Sequence, residues 1–306
     1  MLGGTLILIL SFILIALVSG NNLPVCSGSI IGSRIVSRRN GVLIAIIGYI
    51  LGLILEGDML RNGVNAVLPF KSEQSIIIAF TVAIFVFLIA HKMRVPQSLS
   101  VNFTSILLGI SMATHLPINW LFLSFIILFW IIAPIISVIA MRPLMHKTYS
   151  LVKKRSIWST IKLIRLLLIL FSFLAAFTLG ANTLGLLYAT MPKDLYSLLA
   201  ALLGIIFGSL LLSGGELRRI GNEIISLRYI NALNSQIISV LLVELAVLLS
   251  IPLSNSQTFI ASIYGSGLSY KNRILLRSPI KSIAITWIGG ALASFALAYL
   301  FAVLLA

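Results

Sequence analysis

Long apolar runs separated by short polar loops divide the chain into ten hydrophobic segments, at roughly 4–33, 41–57, 74–91, 97–113, 116–141, 162–190, 195–214, 230–250, 254–269 and 282–305. A helix needs about 20 apolar residues to cross a bilayer, and fewer where a broken or buried segment completes the passage. The pattern predicts an all-α polytopic membrane protein with about ten membrane segments, some of them broken helices and helical hairpins. Two segments are interrupted. Ser19-Gly20-Asn21-Asn22-Leu23-Pro24 breaks the first, and Gly180-Ala181-Asn182-Thr183-Leu184-Gly185 breaks the sixth at the same place within its own run. Unsatisfied backbone cannot face lipid, so each break is expected inside protein or against a water-filled cavity. Paired breaks in matching positions of two halves point to a binding site between them.

The loops alternate in charge. Arg34, Arg38 and Arg39 follow the first segment, His91, Lys92 and Arg94 the third, and the stretch from Arg142 to Arg165 is the most basic. Thr114 to Asn119 carries no Lys or Arg, and Glu56 to Glu73 is mixed. In the second half Arg218, Arg219 and Arg228, then Lys271 to Lys281, repeat the basic loops, while Lys193-Asp194 and Ile251-Pro252 separate them. Lys and Arg collect on the cytoplasmic side, so both termini are expected outside the cell. Each half then crosses five times, and an odd count makes the second half enter from the opposite side. The organisation expected is a first inverted repeat over 1–145, a basic cytoplasmic linker over 146–161 and a second inverted repeat over 162–306.

Residue matches point to the same duplication. Asn21 pairs with Asn182, Pro96-Gln97-Ser98-Leu99-Ser100 with Pro252-Leu253-Ser254-Asn255-Ser256, and Trp130 with Trp287, at offsets between 156 and 161 positions.

Composition agrees with a bilayer setting. Hydrophobic residues make up 59% of the 306 and charged ones 9%, against about a quarter charged in soluble domains. A net charge of +15 would suggest nucleic acid as a partner of a soluble chain. Here it is assigned to cytoplasmic loops, and no nucleic-acid partner is expected. The single cysteine, Cys26, excludes an internal disulfide and a Cys-based metal site. Met1 to Gly20 has the apolar core of a secretory signal but no basic n-region, and the apolar run resumes after Pro24, so it is read as part of the first span.

Four polar clusters carry the candidate chemistry: the two asparagine breaks, the group Ser98, Ser100 and Asn102, and the group Ser254, Asn255, Ser256 and Gln257. Each Pro-x-Ser-x-Ser stretch is expected to open a helix, since proline suits the first turn and serine caps it. A helix N-terminus presents free N–H groups and partial positive charge to an oxyanion. Hydroxyls and amides add neutral donors, so a tetrahedral anion could be held without a buried Arg or Lys. Taken singly, such serines serve capping or interhelical bonding, and Gly204, Gly208, Gly289 and Gly290 are read as close helix contacts. Glu244 is the only carboxylate well inside a span, either a functional group or a protonated structural one. Glu216 and Glu223 are expected on a solvated ion-pair face. No metal-ligand spacing links His91, His115 and His146, and no catalytic set sits within one span, so neither an enzyme nor a metal protein is expected.

On these motifs the chain resembles the inorganic phosphate transporter (PiT) family, which includes sulfate permeases. The family's first signature, Gly-Ala-Asn-Asp-Val-Ala-Asn-Ala, has its counterpart in Ser19 to Cys26, followed by the small-residue run Ser27 to Ser33. The second is Gly180-Ala181-Asn182-Thr183-Leu184-Gly185-Leu186-Leu187. The Pro-Val-Ser-Thr-Thr hairpin motif resembles Pro96 to Ser100 and, more clearly, Ile251 to Thr258, and Arg219-Ile220-Gly221-Asn222-Glu223-Ile224 resembles the stretch before the second hairpin. The similarity covers nearly the whole chain in order.

That resemblance implies an alternating-access permease in the cell membrane, a symporter of inorganic phosphate or a related oxyanion such as sulfate with Na⁺ or H⁺. Carried over by position, Asn21, Asn22, Ser98, Ser100, Asn182, Thr183, Ser254 and Ser256 would line the anion site, with no cofactor. A second copy of the chain, as a homodimer, stands among the expected partners beside the anion and the lipid. The signature aspartates that would hold the coupling cation are Asn22 and Thr183 here, and the following asparagines are Val25 and Leu186. Loss of two carboxylates weakens any cation site there. Coupling through Glu244, passive exchange, or a receptor or partner subunit that keeps the fold without transporting are the alternatives this leaves.

Overall fold

A computed structural model describes residues 2–69, 72–92, 98–153, 156–212, 229–268 and 277–305. Pro96, Gln97 and the Arg219–Ile224 motif lie outside them. The described chain is all helical: α1 (Leu2–Gly32), α2 (Arg38–Glu56), a single 3₁₀ turn (Gly57–Leu60), α3 (Arg61–Val67), α4 (Glu73–Lys92), α5 (Leu99–Ala113), α6 (Trp120–Lys153), α7 (Ile157–Leu179), α8 (Gly185–Thr190), α9 (Leu195–Phe207), α10 (Tyr229–Leu248), α11 (Asn255–Leu268) and α12 (Arg277–Leu305). Among the described residues seven helical stretches are long and apolar enough to span a membrane, and α4 and α5 supply shorter apolar ones. The outward side chains of α6, among them Leu128, Ile131, Ile135 and Ile139, form an exposed apolar stripe. Such a face suits lipid and not water.

Local chemistry sets the helix starts. Ser37, Ser98, Ser156 and Asp194 occupy extended N-cap positions, and each side chain accepts from a backbone N–H three residues on. The stretch expected to be a linker, 146–161, is mostly helix: α6 runs through His146 to Lys153, and α7 opens at Ile157.

The first expected break needs correction. α1 is continuous from Leu2 to Gly32 with Pro24 inside it. Proline removes one i→i−4 hydrogen bond and crowds the preceding turn. Protein surrounds this part of the helix, since Ser19, Leu23 and Cys26 are fully buried. Asn22 Nδ2 donates to Val18 O at 3.1 Å, so the amide turns back onto its own helix. The second break is a single widened turn. Gly180–Leu184 forms a π-type segment that joins α7 to α8 without interrupting the helical path; such turns are often found at functional sites.

Helix crossings bring backbones together. A Cβ at Gly52 of α2 would meet Phe177 O and stand 2.9 Å from Ala181 N, and one at Gly180 would stand 2.8 Å from Tyr49 Cα. Gly204 and Gly208 lie against α1 as expected, but Gly289 faces open space and is no helix contact.

The two ends of the bundle differ. Arg34 follows α1, Arg38 and Arg39 open α2, and Arg165 of α7 donates to Ile35 O at 3.0 Å. Ile30, Leu168, Ala232 and Leu233 pack together near this basic end, placing the middle of α7 and the start of α10 beside the end of α1. The beginning of α1 lies at the other end, where Gly3 adjoins Glu73 and Gln74 donates to Leu305 O.

Candidate functional site

The short helices α5 and α11 meet at their N-termini. Ser98 caps α5, its Oγ accepting from Val101 N–H at 3.4 Å. Ser254 does the same for α11 through Gln257 N–H at 3.3 Å, and its hydroxyl pairs with Ser256 Oγ at 3.0 Å. Ser100 Oγ donates to Leu253 O at 3.2 Å, joining the first turn of α5 to the extended segment that precedes α11. Ser98, Ser100, Ser254 and Asn255 are all at least 95% buried. Two helix N-termini of 15 and 14 residues thus converge in the interior, and their partial positive ends add.

Asn182 holds the same segment from the π turn. Its Nδ2 donates to Ile251 O at 3.2 Å and its Oδ1 accepts from Leu253 N–H at 3.1 Å, with the side chain fully buried. These two bonds fix the amide orientation, because the reversed assignment would set donor against donor. Trp130 Nε1 donates to Pro252 O at 2.7 Å. Three consecutive residues, Ile251 to Leu253, are therefore pinned by side chains from the π turn, α5 and α6.

The sequence-derived residues divide accordingly. Ser98, Ser100, Asn182, Ser254 and Ser256 come together at this junction. Asn21 is half-buried on α1, and Asn22 and Thr183 are buried. Among the described residues, no hydrogen bond carries Asn21, Asn22 or Thr183 to the junction. Glu244 sits half-buried near the end of α10, where its carboxyl faces that of Glu56 in the last turn of α2. Among the described residues no group of three or more His, Cys, Asp or Glu could hold a metal ion.

Reading by sequence missed the polar content of α10. Asn231, Asn234, Ser235, Gln236 and Ser239 are all buried. Gln236 Nε2 donates to Cys26 O at 2.8 Å and lies 3.0 Å from Ser29 Oγ and 3.3 Å from Ser172 Oγ, tying α10 to α1 and α7. Ser239 Oγ is 2.7 Å from Thr258 Oγ1 and 3.3 Å from Asn255 Oδ1, tying α10 to the first turn of α11. The signal was present as Asn-Ala-Leu-Asn-Ser-Gln at the head of an apolar span, where polar side chains are costly.

Comparison with known proteins agrees with this architecture. Residues 145–298 match the phosphate transporter family. A protein of Methanocaldococcus jannaschii, named as a candidate phosphate permease, is 26% identical over 285 residues, covering 92% of this chain and 91% of its own. A solved structure titled as the sodium-dependent phosphate transporter superposes with a TM-score of 0.82 at 18% identity, covering 100% of this chain and 99% of that one. That likeness, at so low an identity, speaks for the fold. The helical membrane architecture and the family match over half the chain lead to one conclusion: the chain belongs to the PiT phosphate transporter family.

Proposed function

We propose that the chain is a permease for inorganic phosphate or a closely related oxyanion such as sulfate, working by alternating access between two inverted halves. The anion binds where α5 and α11 meet, and the observation that carries this reading is the Ser100 Oγ to Leu253 O contact of 3.2 Å between the two helix starts. Helix N-termini supply backbone N–H donors and positive potential for an anion, and the serine hydroxyls at both caps can add a donor each. The basic end of the bundle faces the cytoplasm, by the bias of Lys and Arg to that side.

The test is uptake of radiolabelled phosphate and sulfate into proteoliposomes, with and without Na⁺ and pH gradients. Transport of phosphate is expected, and no movement of either anion under any gradient overturns the reading. In the same assay Ser254→Ala combined with Ser256→Ala is expected to lower uptake about tenfold, the loss of a hydrogen bond to a charged group. Folded protein should be recovered at near wild-type yield, since a lost cap costs only about 1 kcal/mol.

Coupling differs from the usual family arrangement, because Asn22 and Thr183 stand where the family's signature aspartates do. We assign the coupling to the proton, held by Glu244 with Glu56 opposite it. Facing carboxyls can hold a proton between them, and an intramembrane acid is a natural relay. Glu244→Gln is expected to abolish stimulation of uptake by an inward proton gradient while leaving exchange of phosphate for phosphate. Stimulation equal to that of the wild type would remove Glu244 from the coupling step.

A further inference from the structure

We propose that the polar face of α10 lines the route along which the anion passes between the α5–α11 junction and the basic end of the bundle. The inference rests on the permease reading above and adds residues that neither the family motifs nor the junction include. The face begins at Asn231 and ends at Ser239, about 12 Å along the helix at about 1.5 Å per residue. At its upper end the Ser239 hydroxyl touches Thr258 and Asn255 in the first turn of α11. At its lower end Thr148 Oγ1 lies 3.0 Å from Asn234 Oδ1, beside Lys147 of α6. Buried polar side chains of α10 therefore run from the junction toward the basic end.

In its present packing this line is closed and poorly satisfied. Asn234 Nδ2, Ser235 Oγ, Gln236 Oε1 and Asn255 Nδ2 are buried without a hydrogen-bond partner among the described residues. An unsatisfied buried polar group destabilises a packed interior, so apolar residues would make a tighter seam. The chain itself carries that alternative. At the 156-residue offset relating Pro96 to Pro252, α4 has Ile78, Ala79, Phe80 and Ala83 where α10 has Asn234, Ser235, Gln236 and Ser239. Ile78, Ala79, Phe80 and Ala83 are all buried in the main core. An arm at that position can thus be packed with apolar residues at these four places, and the unpaired polar atoms of α10 add nothing to the closed seam. They suit a seam that parts and fills with water, offering an oxyanion neutral donors that bind it without trapping it.

Cysteine accessibility tests this. The only native thiol, Cys26, is buried, so a Cys26→Ser protein in proteoliposomes serves as parent. Ser235→Cys is placed on the polar face and Val243→Cys, equally buried on the same helix, serves as control; Asn234→Cys replaces the former should it fail to fold. Reaction with the membrane-impermeant anionic reagent methanethiosulfonate ethylsulfonate is followed with and without inorganic phosphate. Ser235→Cys is expected to react about tenfold faster than Val243→Cys, as an opening seam would expose it, and phosphate should slow that reaction. Equal rates at the two positions, or fast modification that phosphate leaves unchanged, overturn the route while parent uptake persists. A parent that takes up no phosphate overturns the permease reading, and the route falls with it.

Discussion

Asn182→Ala is expected to abolish most phosphate uptake and to lower the thermal midpoint of the detergent-solubilised protein. The side chain makes two hydrogen bonds, to Ile251 O and from Leu253 N–H, and both partner residues are buried. Alanine would leave a carbonyl and an amide unsatisfied, each costing about 1–3 kcal/mol. Against a typical total of about 5–15 kcal/mol, that loss is large but survivable. The midpoint should fall by roughly 5 °C or more, at about 2–4 °C per kcal/mol for chains of this order. Uptake should fall further than stability, because the freed segment carries Ser254 and opens α11. The residue then positions the site; both ends of its amide are already committed to backbone. A variant with unchanged midpoint and unchanged uptake would show that Trp130 and Ser100 hold the segment without it.

How far the sequence foretold this arrangement depends on the kind of signal. Hydropathy placed the spans well, because a run of about 20 apolar residues has few other uses. Thus 41–57 became Arg38–Glu56, and 230–250 became Tyr229–Leu248. The serine caps were also legible, since Ser98 and Ser254 act locally within a few residues of a proline. Continuity of α1 through Pro24 was not, because it depends on protein packed around Ser19, Leu23 and Cys26. The part Asn182 plays was visible only as an anomaly: nothing local says that its amide reaches a segment 69 to 71 residues away. Glu56 was read into a mixed-charge loop, and only the fold sets it against Glu244. Local rules fixed the elements, and long-range contacts fixed the chemistry.

The same logic makes Gly52 a sensitive position in the apolar interior. Gly52→Val is expected to leave little folded protein in the membrane, whereas Gly289→Val should be recovered at wild-type yield. At Gly52, α2 and α7 cross with backbone against backbone: a Cβ would collide with Phe177 O and approach Ala181 N to 2.9 Å. Neither atom is the end of a flexible side chain, so one helix would have to move away. Overpacking of a close-packed interior usually costs about 1–3 kcal/mol, and a clash with backbone lies at or beyond the top of that range. The displaced turn is Gly180–Leu184, which is the one that carries Asn182. A shift there would pull the amide from Ile251 and Leu253, so the steric cost is compounded by the lost hydrogen bonds. Nothing lies within 4 Å of a Cβ built at Gly289, which makes it a control for glycine replacement within a span. Fluorescence-detected size exclusion of tagged variants would measure both. Equal monodisperse yield of the two proteins would mean that α2 and α7 are not in backbone contact, and that the placement of Asn182 has some other cause.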